Sequence, residues 1–479
     1  MISFLLDQEL VELKDVAPDL TVLDWLRIHR QRTGTKEGCG SGDCGACTVV
    51  LAAAEKNHEG GYRLVYRSMN SCIAFVGTLH GKQLLTVESL ATNNVLHPVQ
   101  ECMVSEHGSQ CGFCTPGFVM SLYALYQQDE KVEVLKEQVD RALGGNLCRC
   151  TGYRPIKQAA ERALNHRANQ TDIHRKDLIT KTSEKKTIEL LRHLDSQPAD
   201  VVGFYQPDTL TAFATYLQSY PNARILAGGT DLALEVTQQL RDLPSIVSIN
   251  AVSELKQTVV ADTYLELGAA VTLTECLAVM QSRIPGAQEL LLRFGSDQVR
   301  NQGTIGGNIG SASPIGDLPP MLIALNAFLT IQCGDKTRTL LLEDHYLGYR
   351  KTSLTASEFI HSVHIPLPDS SSKFAVHKIS KRIDDDISSV CMAIHLPFEC
   401  GIVKDCRVVF GGMAAIPIRA KAVEQMLNEK DFSQEAVYDA QKALGDELSP
   451  ITDARASAGY RLQVAKNLLQ RVLLEVRES

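Results

Sequence analysis

Cys39, Cys44 and Cys47 stand in the run CGSGDCGACT with C-x4-C-x2-C spacing, and Cys72 follows in MNSCIAF. This is the ligand spacing of a plant-type [2Fe–2S] cluster, so the chemistry indicated is single-electron transfer. Four thiolates must converge on a two-iron rhomb, which asks for a tightly folded loop. Gly38, Gly40, Gly42 and Gly45 supply that freedom, since glycine adopts positive φ without steric cost. Gly40, Gly42 and Gly45 also spell G-x-G-x-x-G, the dinucleotide fingerprint. That motif needs a strand before it, a helix after it and an acidic residue about 20 positions on. Here it is threaded with cysteines and runs into the strand-like TVVLAAA, so its context argues against a nucleotide.

A second group comprises Cys111 and Cys114 in SQCGFCTPGF and Cys148 and Cys150 in GGNLCRCTGY: C-x2-C, a gap of 33 residues, then C-x-C. Zinc ribbons usually carry C-x2-C in both halves at shorter separation, and a thioredoxin-type pair needs a βαβ setting. Beside a plant-type cluster, a second [2Fe–2S] cluster is the preferred reading. Structural zinc and an unliganded redox pair are the alternatives.

The elements that must position these groups follow from pattern. At 479 residues the chain should hold about three domains. The net charge of -8 offers no basic stripe for nucleic acid. No apolar run reaches membrane-spanning length. The start, MISFLLDQELVEL, lacks a basic n-region and does not read as a secretory signal, so a cytoplasmic location is expected. In a reducing compartment clustered cysteines are more often metal ligands than disulfides. Residues 1–80 read as short strands with one helix over 21–30, as a β-grasp ferredoxin module would give. Helical periodicity covers 98–107, 118–128 and 133–143, placing the second cysteine group at the ends of an antiparallel helical hairpin. Residues 166–198 are polar and read as a linker with some helix.

A new domain should begin near Val201, with a helix over 207–220 and a strand over 223–226 running into AGGTDLALE. Strand, glycine turn and helix start make an anion-binding corner, with free N–H groups facing a phosphate. Gly228 and Gly229 would allow close approach and Thr230 could donate a hydroxyl; a plain glycine turn is the alternative. A second glycine corner, GTIGGNIG over 303–310, leads into SASPIGDLPP. Together the two could hold the ends of one pyrophosphate. Asp317 could accept from ribose or ribityl hydroxyls, or cap a helix over 321–325. Residues 376–479 alternate strands (390–396, 406–410) with helices (418–428, 434–444, 454–477). Cys276, Cys333, Cys391, Cys400 and Cys406 are scattered and read as core thiols.

These motifs together resemble the xanthine oxidase family of molybdenum hydroxylases. The resemblance implies that Cys39, Cys44, Cys47 and Cys72 hold one cluster in a β-grasp domain near a flavin. Cys111, Cys114, Cys148 and Cys150 would hold the other in a four-helix domain, with Gln110 and Cys150 approaching the pterin of a partner's cofactor. AGGTD and TIGGNI…SPIGDLPP resemble the family's FAD-binding domain, which holds FAD without a dinucleotide fingerprint. On that likeness Ile225, Leu226, Ala227, Gly228, Gly229, Thr230, Asp231 and Leu232 wrap the pyrophosphate together with Thr304, Ile305, Gly306, Gly307 and Asn308. Phe294 lies near the flavin ring, Asp317 near the ribityl or ribose, and Ile360 and Lys378 near the ring system. Asp384, Asp385 and Asp386 read on charge alone as a solvated loop; the family reading puts them near the flavin, where they would bias its potential and NAD access.

The fold class implied is α+β and multidomain: a β-grasp [2Fe–2S] domain over 1–84, a helical [2Fe–2S] domain over 85–165, a linker over 166–198, an FAD-binding domain over 199–372 and an α+β flavoprotein C-terminal domain over 373–479. The function implied is electron transfer through two [2Fe–2S] clusters to FAD and then NAD. Hydroxylation of a purine would take place on a separate molybdopterin-binding large chain, in a heterotetramer of two small and two large chains. No catalytic residue is expected in this chain. The alternatives are the same role beside an aldehyde or N-heterocycle hydroxylase, and a non-catalytic assembly or regulatory relative.

Overall fold

The computed structural model describes all residues except 58, 92–94, 129–135, 170–180 and 479. Parts of the expected helix over 133–143 and of the linker over 166–198 lie outside the described residues. Lys136–Leu143 and Lys181–Asp195 are helices within them. The chain forms two compact units. One comprises Met1–Phe213, Asn222–Ser253 and Gly295–Gly303; the other comprises Ala214–Pro221, Glu254–Phe294 and Thr304–Ser479.

The first unit begins with a five-stranded sheet ordered Glu9–Leu13, Ile2–Leu6, Gln83–Leu85, Thr48–Lys56, Tyr62–Asn70. Ile2–Leu6 and Glu9–Leu13 form the expected hairpin, while Ile2–Leu6 and Gln83–Leu85 run parallel. Thr21 caps the expected helix: its hydroxyl accepts from the Asp24 N–H at 3.0 Å and donates to the Asp24 carboxylate at 2.7 Å. Side chains alternate faces along a strand, and Thr48–Lys56 uses both. Val49 packs into a core with Phe4, Trp25 and Phe75. Val50 faces a helical core containing Phe118, Val119 and Ile156. A strand buried on both sides reads as a continuous apolar run, which is why TVVLAAA lacks polar interruption.

Four helices build that second core: Pro98–Ser105, Thr115–Tyr126, Lys136–Leu143 and Arg154–Asn169. The fourth lies outside the three that apolar periodicity predicts. Its buried stripe is Ile156, Ala159, Ala160, Ala163 and Leu164, mostly alanine and therefore a weak hydrophobic signal. A four-stranded sheet, Ala199–Val201, Phe204–Gln206, Ile246–Ser248 and Arg224–Leu226, completes the unit. Ala199, Phe204, Leu226 and Ile246 share one core with Phe4 and Phe75.

The second unit contains a five-stranded sheet ordered Thr258–Val260, Tyr264–Gly268, Phe359–Pro366, Phe328–Cys333, Lys336–Leu341. Its four-stranded sheet is ordered Lys373–Ile379, Val390–Leu396, Arg407–Gly411, Ile418–Arg419. The helix expected over 418–428 is shorter, Lys421–Leu427, because Ile418 and Arg419 pair with Phe410 and Val409 as a strand. The last helix, expected over 454–477, begins at Ala458. Before it the Asp453 carboxylate accepts the N–H groups of Arg455 and Ala456, forming a turn instead. Among the described residues no helix is long and apolar enough to cross a membrane.

Candidate cofactor sites

All four cysteines of the first group converge. Cys39 and Cys44 sit in the loop 39–47, Cys47 immediately precedes Thr48–Lys56, and Cys72 lies in the 3-10 turn Ser71–Ile73. Cys47 Sγ and Cys72 Sγ are 3.3 Å apart. Cys39 interacts with both Cys44 and Cys72, and Cys72 lies against Cys47, so the four thiols form one interacting series. The protons divide along it. Hydrogen bonds from Cys44 and then Cys72 hold Cys39 below the usual thiol range, and the Cys72 thiol does the same for Cys47. Cys44 and Cys72 are pushed up, each first by its bond to Cys39. Metal binding displaces such protons, and four adjacent thiols without a disulfide are a donor set fit for an iron–sulfur cluster.

The loop backbone is fixed by its surroundings. Asn70 Nδ2 donates to the Gly42 carbonyl at 2.7 Å. Gln238 Nε2 donates to the carbonyls of Cys39 and Gly40 at 3.3 and 3.0 Å. Gly45 has φ of +69°, and a Cβ there would lie 2.2 Å from the Gly145 carbonyl oxygen. Its glycine requirement is therefore doubled, by conformation and by close backbone approach.

The second group also converges. Cys150 Sγ lies 3.7 Å from Cys111 Sγ and 3.9 Å from Cys148 Sγ, and Cys148 interacts with Cys114. Cys114 is the N-cap of Thr115–Tyr126, and Cys148 and Cys150 occupy the loop before Arg154–Asn169. Burial pushes the Cys114 thiol up to about 12. For Cys148 burial pushes the same way, but the hydroxyl and N–H of Thr151, with Oγ1 at 2.9 Å, outweigh it and bring the thiol down to about 7. Among the described residues no three ligand side chains are grouped to hold a single metal ion. Cys150 lies beside both Cys111 and Cys148, and four cysteines in one neighbourhood are the ligand number of a two-iron cluster. Gln110, Cys111 and Cys150 are exposed.

The two ligand loops touch directly. The Leu147 N–H donates to the Cys44 carbonyl at 3.0 Å, joining the neighbour of Cys148 to a residue of the first group. Beside this bond lies a buried polar cluster of Thr48, Ser121, Asn146 and Gln298. Gln298 carries no motif or spacing signal in the sequence and was not legible there.

The two glycine corners differ. The first, Ile225, Leu226, Ala227, Gly228, Gly229, Thr230, Asp231 and Leu232, belongs to the first unit. Among the described residues the N–H groups of Gly228, Gly229 and Thr230 have no protein acceptor, as an anion cradle requires. Gly228 is glycine for a different reason from the one expected: a Cβ there would lie 2.1 Å from the Gln302 carbonyl oxygen. Its space is filled by backbone and is not left open to a ligand. Gly229 takes φ of +80° beside the carbonyl of Ile73, the residue after Cys72.

The second corner, Thr304, Ile305, Gly306, Gly307 and Asn308, belongs to the second unit and has spent its amides. Ile305 donates to Val271, Gly306 to Ala269, Gly307 to the Thr304 hydroxyl and Asn308 to the Thr304 carbonyl. The backbone donors of Ile305, Gly306, Gly307 and Asn308 are therefore already engaged within the protein. Asn308 Oδ1 is buried without a hydrogen-bond partner, an orphan that fits an absent donor.

In the second unit Lys378 and Asp317 form a buried ion pair at 2.8 Å. Asp317 is the N-cap of Leu318–Ala324, which starts before the expected 321, yet its side chain makes no capping bond. The carboxylate accepts from Lys378 Nζ and, at 2.5 Å, from Ser388 Oγ. Arg293 ties the same region together: its carbonyl accepts from Lys378 Nζ at 3.1 Å, and its guanidinium donates to the carbonyls of Lys378 and Ile383. Phe294 follows, partly buried against the unit's core. Ile360 is buried in the strand Phe359–Pro366. Asp386 is folded back on its own loop; burial pushes its carboxyl up, but the N–H groups of Arg382 and Ile387 outweigh that and hold it below the usual range.

Comparison with known proteins accounts for these arrangements. Residues 4–77 match a 2Fe-2S iron-sulfur cluster binding domain and residues 86–161 a [2Fe-2S] binding domain. Residues 199–368 match the FAD binding domain in molybdopterin dehydrogenase, and residues 375–476 the CO dehydrogenase flavoprotein C-terminal domain. The chain belongs to the xanthine oxidase family of molybdenum hydroxylases. It is 32% identical to xanthine dehydrogenase of Emericella nidulans over 91% of this chain and 36% of that protein. It is 31% identical to xanthine dehydrogenase/oxidase of Rattus norvegicus over 95% of this chain and 37% of that protein. The chain thus spans little more than a third of the length of these family members. Among solved structures, a chain of carbon monoxide dehydrogenase from Hydrogenophaga pseudoflava superposes with a TM-score of 0.54 and 25% identity, covering 57% of this chain and 96% of that one. A chain of quinoline 2-oxidoreductase from Pseudomonas putida 86 gives 0.53 and 26%, covering 58% and 96%. The fold class is as expected, α+β and multidomain, with two iron–sulfur domains and an FAD-binding domain.

Proposed function

We propose that this chain is the electron-transfer part of a xanthine dehydrogenase, cytoplasmic, acting with a molybdopterin-binding partner that oxidises hypoxanthine and xanthine, and reducing NAD. The observation that carries the reading is the pair of converging four-cysteine sets whose loops are hydrogen-bonded to each other. Cys39, Cys44, Cys47 and Cys72 hold one [2Fe–2S] cluster, and Cys111, Cys114, Cys148 and Cys150 the other. The N–H groups of Gly228, Gly229 and Thr230 bind phosphate oxygens of FAD. When bound, the clusters supply one-electron steps and the flavin collects them in pairs for a hydride. The chain's own residues position ligand loops, exclude water around Cys47 and Cys72, and set charge around the flavin. The assembly is a heterotetramer of two such chains with two partners, and the domain limits are those drawn from the sequence.

A second reading keeps the same chemistry beside another hydroxylase. The carbon monoxide dehydrogenase and quinoline 2-oxidoreductase neighbours favour it as much as the curated relatives favour the first. The test is composition followed by substrate. The purified complex should carry two irons for each four-cysteine set, FAD and a molybdenum-containing partner. Cys47→Ser should remove one cluster's EPR signal and leave the other. Xanthine-dependent NAD reduction decides for the first reading; turnover of a quinoline or an aldehyde without xanthine turnover decides for the second. Absence of iron from the wild-type chain would refute both.

A further inference from the structure

Between the two cysteine sets lies a buried junction of four chain segments, all in the first unit. Its backbone contacts are closer than any side chain would permit. A Cβ on Gly117 would lie 2.1 Å from the Gly45 carbonyl oxygen, and one on Gly145 would lie 2.3 Å from Gln298 Oε1. Gly45 adjoins Cys44, and Gly145 and Asn146 precede Leu147 and Cys148. Gln298 arrives from a distant segment, on the short helix Asp297–Arg300 just before the second glycine corner.

The orientation of every amide here follows from one acceptor. A carbonyl oxygen can only accept. The Gly45 carbonyl accepts from Thr48 Oγ1 at 2.7 Å and from Asn146 at 3.1 Å, so the Asn146 atom facing it is the Nδ2 donor. Asn146 Oδ1 then faces the other way, where it accepts from Ser121 Oγ at 2.7 Å and from Gln298 at 3.1 Å. The Gln298 atom at that contact must be Nε2, which also reaches Ser121 Oγ at 3.1 Å and Thr48 Oγ1 at 3.4 Å. Gln298 and Asn146 are almost wholly buried, at 0% and 2% exposure, so water cannot replace these bonds. Asn146 is thereby held by Gln298 on one side and anchored to Gly45 on the other. The next residue, Leu147, has a 40% exposed side chain, and its N–H bonds to the Cys44 carbonyl at 3.0 Å.

We infer that Gln298 is a positioning residue for electron exchange between the two cysteine-held centres: through Asn146 it fixes the Cys44–Leu147 hydrogen bond that joins their loops. One electron crosses this junction, with no proton transferred and no bond made or broken. The inference rests on the reading that both sets hold clusters. It adds that a residue of the flavin-side sequence, remote from both cysteine runs, governs their coupling.

The test compares the wild-type complex with Gln298→Leu, which keeps the volume and removes the donor. Two quantities are read: hydrogen exchange of the Leu147 amide, and the spin–spin splitting between the two reduced clusters in EPR. The variant is expected to exchange the Leu147 amide about tenfold faster, the effect of losing one net hydrogen bond. It should also lose or change the splitting while keeping full iron content, and inter-cluster transfer should slow by about tenfold, as for other outer-shell changes. Unchanged exchange and unchanged splitting, with lowered thermal stability alone, would show Gln298 to be packing and overturn the inference. If Gln298→Leu does not fold, Ser121→Ala removes part of the same network and is read identically. Iron counted in the wild type tests the cluster reading separately. Were it absent, the amide exchange would still decide whether Gln298 fixes the loop contact.

Discussion

Lys378 shows what single residues contribute here. Its ammonium is buried with the Asp317 carboxylate, which also accepts from Ser388. Removing one member of such a pair strands a charge away from water, which costs about 3–5 kcal/mol, whereas replacing both is much milder. Lys378→Met should therefore lower the stability of the second unit by about that amount in denaturant unfolding. The double variant with Asp317→Leu should recover most of it. A single variant that matched wild type would mean that water reaches the pair. Family likeness assigned Asp317 to the ribityl or ribose and Lys378 to the ring system, and no sequence signal paired the two. The motif around Asp317 predicts either a hydroxyl acceptor or a helix cap; the side chain makes no capping bond, and within the protein it accepts from the Ser388 hydroxyl and from a lysine 61 positions away. The eight cysteines were legible because ligand spacing is local. Gln298 was not, because its partners at Thr48, Ser121 and Asn146 are set by the fold alone.

At the scale of elements, the helix Pro98–Ser105 carries a pH dependence. Its N-cap is His97, whose Nδ1 accepts from the Val99 N–H while Gln100 reciprocates to the His97 N–H. His97 is buried against Tyr123 and Tyr126, and burial pushes its imidazole down to about 4. An unfolded histidine titrates near 6.5. As pH falls below about 6.5 the unfolded chain takes up a proton that the folded chain refuses, so stability is lost. The loss continues to about pH 4 and then levels, with a ceiling of about 3 kcal/mol for this group. His345 in the second unit, likewise lowered to about 4 by burial and then by Arg338, carries the same sign. Unfolding midpoints at pH 7 and pH 5 should differ less in His97→Gln than in wild type; an unaltered difference would place the dependence elsewhere. Element type was legible wherever a long apolar stripe existed, as in Thr115–Tyr126. It failed where alanines did the burying, as in Arg154–Asn169, or where strand pairing overrode helical pattern, as at Ile418–Arg419. The spent amides of Ile305 and Gly306 in the second glycine corner were equally invisible, since their acceptors, Val271 and Ala269, lie more than 30 residues upstream.

At the scale of the molecule, sequence order and structural membership diverge. The segments Asn222–Ser253 and Gly295–Gly303 belong to the unit that holds both cysteine sets, although they come from the part of the chain matched by the FAD-binding domain. Leu226 and Ile246 share a core with Phe4 and Phe75, and a Cβ on Gly229 would touch the Ile73 carbonyl at 3.4 Å. Residues 1–169 and 181–479, produced as two separate chains, should therefore remain together on gel filtration and separate only in denaturant. Their separation under native conditions would contradict the shared core. In the carbon monoxide dehydrogenase relative, the matching chain corresponds to 57% of this one. Where such parts are separate polypeptides, their pairing depends on concentration; within one polypeptide it is intramolecular. The interleaved unit thus turns a binding equilibrium into a fixed stoichiometry: every first glycine corner is synthesised with both cysteine sets already attached, and none can be diluted away from them.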